Sequence, residues 1–131
     1  MDELPIQSGD DVVRVRQHVR VTAAQGGLSL VDQTKLVTAA SELARNTLVH
    51  GGGGVARVEM VKSPNGRTGV RLHFTDEGPG IPDIDLALRD GWSSGSGLGL
   101  GLSGSRRLVD EFELTSKPGA GTTVMVVKWS R

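Results

Sequence analysis

The sequence predicts an α+β fold, a two-layer α/β sandwich in which helices cover one face of an antiparallel or mixed sheet. The order of its patterned segments predicts this, because two long helical segments precede a pair of strands and a third helix precedes a second pair. Aromatic residues make up only 3% of the 131 residues, so the core has to be aliphatic. Glycine contributes 19 residues and collects between the patterned segments, which indicates backbone held close to a ligand.

The first half of the chain predicts one edge strand and two helices. The strand covers residues 3–8. Asp10 is the expected N-cap of the first helix, which continues to about residue 24 with valine and alanine on one face. The second helix covers residues 31–50, and Gly51 follows its last turn as a stop signal.

The second half predicts two strand pairs separated by helical segments. The first pair flanks a Ser-Pro-Asn-Gly turn, and its alternating pattern gives each strand one apolar face. The last pair flanks a second turn, which is rich in glycine. The predicted elements are strands at 55–62, 69–76, 113–117 and 122–129, a short helix at 83–90 and a third long helix at 102–112.

Composition argues against several classes of function. The absence of cysteine rules out disulfide frameworks, cysteine-bound metals and thiol catalysis. Fifteen basic residues balance fifteen acidic ones, which argues against a polybasic face for nucleic acid or a membrane. The apolar runs are too short for a membrane span, and the acidic N-terminus is unlike a signal peptide. We therefore expect a single domain over residues 1–131 that acts in the cytoplasm.

Glu42, Asn46 and His50 are spaced four residues apart and form a polar stripe on the second helix. Such a stripe is often only a solvated helix face. A carboxylate and an amide oxygen one turn apart are also suited to hold Mg²⁺ and to orient a nucleophile. His50, near the helix end, is more typical of a capping residue than of a ligand. Spacing alone leaves both interpretations of Glu42 and Asn46 open.

A carboxylate ends the predicted strand at 69–76, and a tight turn follows it. Gly78 and Gly80 straddle a proline just after Asp76. The segment is compatible with an ordinary strand-to-helix turn. It is equally compatible with Asp76 accepting a hydrogen bond from an exocyclic amine such as that of adenine, because the glycines would let a base lie against the backbone.

Residues 97–102 read Gly-Leu-Gly-Leu-Gly-Leu and open the third helix. Backbone N–H groups at a helix N-terminus bind phosphate, and glycines permit a close approach. The glycine spacing also fits the dinucleotide fingerprint, but no strand directly precedes it and no acidic residue lies about 20 positions later. No Gly-Lys-Ser/Thr follows, so the segment is not a Walker A loop. By itself it indicates only a backbone suited to phosphate.

Together these motifs resemble those of a known superfamily. Glu-x-x-x-Asn at 42–46, Asp-x-Gly-x-Gly at 76–80, Gly-x-Gly-x-Gly at 97–101 and Gly-Thr-Thr at 121–123 occur in that order. The order resembles the GHKL (Bergerat) ATP-binding fold shared by histidine-kinase catalytic domains and bacterial anti-sigma serine kinases, across essentially the whole chain. Within it, the hexapeptide Ser-Glu-Leu-Ala-Arg-Asn around the first motif and the segment 110–124 are most similar to RsbT-type switch kinases of stressosomes.

The resemblance implies a role for each motif. Glu42 would be the base that accepts the proton of a target hydroxyl, Asn46 would ligate Mg²⁺, and Asp76 would bind the adenine amine. The remaining residues would complete the ATP site: Gly78 and Gly80 would shape the adenine pocket, Thr122 would support it, and Gly97, Leu98, Gly99, Leu100, Gly101 and Leu102 would belong to the phosphate-covering lid.

For function, the resemblance implies an ATP- and Mg²⁺-dependent protein serine/threonine kinase. Its substrate would be a STAS-domain antagonist, and the released kinase would activate a PP2C-type phosphatase. The balanced charge described above leads us to expect no nucleic-acid or membrane partner. The alternative is an anti-sigma factor that sequesters a sigma subunit and phosphorylates an anti-anti-sigma factor. Anti-sigma kinases carry basic residues in the lid, whereas residues 91–105 carry no charge here, which favours the switch kinase. A nucleotide-binding adaptor without turnover is a third reading, but it would need no base at Glu42.

Overall fold

The computed structural model describes residues 2–80 and 102–131. Strands and helices follow one another in the predicted order within these residues. The short helix expected at 83–90 lies outside them. In chain order the elements are β1 (Asp2–Ile6), α1 (Gly9–Gln25), α2 (Leu30–Val49), β2 (Gly54–Lys62), β3 (Thr68–Asp76), α3 (Leu102–Leu108), β4 (Glu111–Ser116) and β5 (Thr122–Trp129).

The five strands form one sheet in the order β1-β2-β3-β5-β4. Every neighbouring pair in it is antiparallel, so of the two sheet types that the sequence left open, the antiparallel one is present. The register sets Asp76, the last residue of β3, opposite Gly54 on one side and Thr122 on the other. The end of the central strand therefore lies between the first residues of β2 and β5.

The helices cover one face of the sheet, as the sequence predicts. α2 is the middle helix, because α1 and α3 both pack against it. Beneath them, alternate strand residues such as Val58, Leu72 and Val126 are buried in a core that is almost entirely aliphatic. Each buried side chain of this kind contributes about 1.5–3 kcal/mol, so the layer contact fixes α2 over the sheet. None of the helices in the described ranges is long and apolar enough to cross a membrane.

The N-cap of α1 differs from the prediction. Ser8, not Asp10, holds this position: its backbone is extended and its Oγ accepts a hydrogen bond from the N–H of Asp11. The helix already begins at Gly9, so Asp10 lies in the first turn. A carboxylate in the first turn is favoured by the helix dipole and not only by capping geometry. Asp10 therefore led to a predicted N-cap two residues after the actual one.

The third helix is shorter than the predicted 102–112. It ends at Leu108, and Phe112 belongs to β4. The N–H of Asp110 already donates to the carbonyl of Val127 at 2.9 Å, so pairing with β5 begins where the helix was expected to continue. Leu102 at the start of α3, Val109 after the helix and Phe112 in β4 all pack in or against the same core. Their helix-like spacing therefore does not indicate one continuous helix.

A buried ion cluster joins the first turn of α2 to the end of β5. Lys128 faces the helix layer and is only 3% exposed. Its ammonium lies 3.7 Å from a carboxylate oxygen of Asp32 and 3.5 Å from one of Asp110. Arg131 contacts the same two carboxylates at 3.4 and 3.2 Å. Because a buried ammonium without partners is costly, these contacts hold the start of α2 against the last strand.

We predict that Asp32→Ala destabilises the fold by about 2–3 kcal/mol, because it leaves the Lys128 ammonium buried with one carboxylate fewer. The double variant Asp32→Ala/Lys128→Met should recover most of this loss, since apolar side chains of similar volume often replace a buried ion pair at little cost. Urea unfolding of the three proteins measures both effects. If the double variant lost as much free energy of unfolding as Asp32→Ala, the unpaired Lys128 ammonium would not be the cause of the loss.

Candidate functional site

A cavity opens at the edge of the sheet where β3 ends, between the helix layer and the strands. The C-terminal turns of α2 form one wall, the ends of β3 and β5 form another, and the first residue of α3 closes a third side. Apolar walls with a few convergent polar groups are typical of small-molecule sites. The lining residues are Leu43, Asn46, Thr47, His50, Gly51, Phe74, Asp76, Gly80, Leu102, Thr122 and Val124.

Asp76 contributes the only carboxylate among the described residues that line this cavity. Its side chain is half-buried, and Oδ1 accepts a hydrogen bond from the N–H of Gly78 at 2.9 Å. An Asx turn of this kind fixes the orientation of the carboxylate from its own backbone. An ionised carboxylate has about four acceptor positions, so acceptor capacity is left for a ligand that donates an N–H.

Glycine backbone packs directly against Asp76 from two sides. A Cβ built on Gly51 would lie 2.3 Å from the Asp76 Cγ, and one built on Gly121 would lie 2.1 Å from the Asp76 carbonyl oxygen. Gly78 touches Gly51 in turn, since a Cβ there would lie 2.7 Å from the Gly51 Cα. Only glycine lets the loop after α2, the turn after β3 and the start of β5 meet this closely.

The turn after β3 is also held against the turn between β4 and β5. Gly80 has a φ of +77°, which favours glycine, and the N–H of Gly119 donates to the carbonyl of Pro79 at 2.7 Å. Ser116 Oγ and Thr122 Oγ1 are hydrogen-bonded at 3.0 Å. The Thr122 hydroxyl is therefore oriented by its own hairpin before any ligand arrives.

α2 and its C-cap contribute three polar residues to the cavity, and one of them, Thr47, donates its hydroxyl to the carbonyl of Leu43 at 3.0 Å. Asn46 and His50 both line it, and His50 is the C-cap residue of the helix, as expected, with its N–H donating to the Asn46 carbonyl at 2.9 Å. Burial lowers the pKa of His50 below its usual value, and the nearby Asp76 carboxylate opposes this shift. The imidazole is therefore neutral near pH 7. Glu42, one turn before Asn46, is half-buried and lies outside the cavity lining.

These groups suit a planar ring that carries an amine. The Asp76 carboxylate can accept from the amine while the apolar side chains contact the ring, and the Asn46 amide oxygen is a hard ligand of the kind that Mg²⁺ prefers. Within residues 2–80 and 102–131, no group of three or more His, Cys, Asp or Glu side chains could hold a metal ion alone. A Mg²⁺ at Asn46 would take its other ligands from water and from phosphates, which is how this ion commonly binds.

Several of the residues singled out by the sequence meet at this cavity, and others do not. Two of them do not line the cavity. Gly78 donates its N–H to Asp76 from the turn, and Glu42 is the residue before Leu43, which does line the cavity. Five line it together: Asn46, Asp76, Gly80, Leu102 and Thr122. The remaining lid residues, Gly97, Leu98, Gly99, Leu100 and Gly101, lie outside the described residues.

Sequence patterns miss some of the uncharged residues that shape the cavity. The spacing of Leu43 and Phe74 predicts only that they are buried, although both also line the cavity. Thr47 could have been found, because it follows Leu43 by one helical turn on the buried side of α2. The contact of Gly51 with Asp76 could not, because it joins residues that are distant in the sequence.

Comparison with known proteins agrees with this geometry. Residues 31–130 match the model of a family described as histidine kinase-, DNA gyrase B-, and HSP90-like ATPase, and this range contains the whole cavity lining. The chain is 45% identical over 121 residues to the serine/threonine-protein kinase RsbT of Bacillus subtilis, and the alignment covers 92% of this chain and 90% of that protein. It is 28% identical over 117 residues to an anti-sigma F factor of Thermoanaerobacter sp., spanning 87% and 82% of the two chains.

A solved structure confirms the architecture. The RsbU and RsbW domains of a Mycobacterium tuberculosis protein match 100% of this chain and 33% of their own longer chain, with a TM-score of 0.62 and 23% identity. At this identity the likeness concerns architecture alone. Together with the family match over residues 31–130, it confirms the two-layer GHKL-type sandwich that the order of the motifs predicts.

We predict that Gly51→Ala weakens ATP binding about tenfold or more, because the added methyl group would displace the Asp76 carboxylate. Titration calorimetry with ATP measures the affinity. Gly9→Ala is the matched control, since a Cβ built on Gly9 has no atom within 4 Å, and it should bind ATP as the wild type does. An unchanged affinity in Gly51→Ala would show that this packing does not shape the binding site.

Proposed function

The chain belongs to the histidine kinase-, DNA gyrase B- and HSP90-like ATPase family, and from that premise we propose that it is an ATP- and Mg²⁺-dependent protein serine/threonine kinase of a partner-switching pathway. Its substrate is a serine or threonine on a STAS-domain antagonist, and the released kinase activates a PP2C-type phosphatase in the cytoplasm. The likeness to RsbT over most of both chains supports this assignment.

The observation that carries the proposal is the Asp76 carboxylate at the end of β3, fixed by the Gly78 N–H and backed by Gly51. The 6-amino group of adenine donates to this carboxylate. Guanine has a carbonyl oxygen at the same position and would be repelled, so Asp76 selects adenine nucleotides. A hydrogen bond to a charged group contributes about 1.5–3 kcal/mol, which is ample for that selection.

Asn46 is the proposed protein ligand of Mg²⁺. Its side chain lines the cavity from α2, on the helix face that also carries Glu42 one turn earlier. Mg²⁺ takes oxygen ligands and usually keeps several waters and substrate phosphates, so a single amide oxygen is a sufficient protein contribution. The ion, when bound, neutralises charge on the triphosphate.

Glu42 is the proposed general base. It is half-buried next to the cavity but does not line it, which suits a group that meets the γ-phosphate end of the nucleotide rather than the base. Its carboxylate accepts the proton of the incoming serine or threonine hydroxyl. The hydroxyl oxygen then bonds to the γ-phosphorus as the bond to the β-phosphate oxygen breaks, and ADP leaves.

The second candidate is an anti-sigma factor, because the anti-sigma F factor of Thermoanaerobacter sp. aligns over most of this chain. The two functions share the ATP site and differ in partners. Affinity purification from the native organism separates the two functions. A switch kinase should co-purify with a STAS-domain protein and a phosphatase, whereas an anti-sigma factor should co-purify with a sigma subunit.

We predict that Glu42→Ala retains its affinity for Mg·ATP but transfers phosphate to its STAS-domain substrate at least about a hundredfold more slowly, because a general base typically contributes about 10²–10⁴-fold. Phosphotransfer from radiolabelled ATP measures the rate, and titration calorimetry measures the affinity.

Glu113→Ala is the control for this experiment, since Glu113 is an exposed glutamate on β4 and does not line the cavity. Its transfer rate should equal that of the wild type. Transfer by Glu42→Ala at the wild-type rate would exclude Glu42 as the base. Its loss of Mg·ATP affinity would instead make Glu42 part of the nucleotide site.

A further inference from the structure

Glu42 shares the polar stripe of α2 with Asn46 but does not line the ATP cavity, so it lies where that stripe borders the solvent-facing side of the helix. Thr38, Glu42, Arg45 and Val49 follow one another at spacings of four, three and four residues, so they form one continuous ridge along the helix surface. Thr38 and Arg45 are exposed, and Val49 is 56% exposed although it is apolar. We call these four residues the α2 ridge.

Arg45 is a cation without a counter-ion within residues 2–80 and 102–131. No hydrogen bond or ion pair joins it to any of them, not even to Glu42 one turn away. Arg14, Arg57 and Arg71 each pair with a carboxylate, whereas Arg67, like Arg45, pairs with none among the described residues. A guanidinium carries a planar set of donors that matches a carboxylate, so Arg45 is available to an acidic group from another molecule.

The geometry of phosphotransfer brings an acceptor protein onto this ridge. The acceptor hydroxyl has to come within about 2.6–3.2 Å of the Glu42 carboxylate. α1 and α3 both pack against α2, and Asn46 and His50 line the cavity. Within the described residues, the exposed ridge is therefore the part of the helix surface that is open to a protein partner. Positions three or four residues apart on a helix are about 5–6 Å apart. Side chains beside the acceptor hydroxyl therefore come within reach of Arg45, and a surface that extends about 10 Å farther along the helix reaches Val49, two turns from Glu42.

We propose that the α2 ridge is the docking surface for the phosphoryl-acceptor protein, with Arg45 binding an aspartate or glutamate beside the acceptor hydroxyl and Val49 contacting an apolar side chain. This inference rests on the proposed function and adds the chemistry of the substrate to it. Arginine is over-represented among the residues that dominate protein interfaces, and charge complementarity there governs specificity and association rate.

The test is phosphotransfer kinetics with the STAS-domain protein that the wild-type kinase phosphorylates. Arg45→Glu should raise the KM for this protein about tenfold or more, because it sets like charges against each other. Its affinity for Mg·ATP should not change, since Arg45 does not line the cavity. Arg45→Lys should restore most of the acceptor affinity, and Arg45→Ala should fall between the lysine and glutamate variants.

Arg67→Glu is the matched control. Arg67 is an exposed arginine in the turn between β2 and β3, at the opposite end of β3 from Asp76, so its reversal should leave the acceptor KM unchanged. A wild-type acceptor KM in Arg45→Glu overturns the docking surface and leaves the proposed kinase standing. Weaker Mg·ATP binding in that variant assigns Arg45 to the triphosphate and also overturns it. No transfer by the wild type to any STAS-domain protein overturns the proposed function and this inference together.

Discussion

The close approach of glycine backbone to Asp76 is the contact on which the rest of the site depends. The loop after α2, the turn after β3 and the start of β5 converge there, and a side chain at Gly51 or Gly121 would force them apart. This convergence sets the distance between the Asp76 carboxylate and the polar groups of α2. The buried cluster around Lys128 fixes the other end of the same helix, so α2 is held at both ends against the strands.

Most of the fold follows from local patterns in the sequence. Alternating apolar residues and the turn between β2 and β3 predict the hairpin, and the apolar face of α1 predicts the helix that carries it. The misjudged boundaries have a common cause. The end of α3 is set by the pairing of β4 with β5, and the first residue of α1 by the side chain of Ser8, whereas apolar spacing records only which residues reach the core.

The sequence singles out polar residues of the site, but their chemistry alone leaves their roles open. A carboxylate before a Gly-Pro-Gly turn and a Glu-x-x-x-Asn helix mark Asp76 and Asn46 as candidates, the resemblance to the GHKL fold implies their roles, and both line one cavity. Spacing could not show that Gly51 touches Asp76, because that contact exists only once α2 and β3 are packed together. Nor could it separate Glu42, which lies beside the cavity, from Asn46, which lines it, since both belong to one polar stripe.

A crystal structure of the protein with Mn²⁺ and a non-hydrolysable ATP analogue tests the proposed site at atomic distances, because anomalous scattering locates the ion. We expect the adenine amine about 2.7–3.2 Å from an oxygen of Asp76 and the ion about 2.1 Å from the amide oxygen of Asn46. We also expect Glu42 to face the γ-phosphate. Adenine bound away from Asp76, or an ion that does not contact Asn46, would show that the proposed site is wrong.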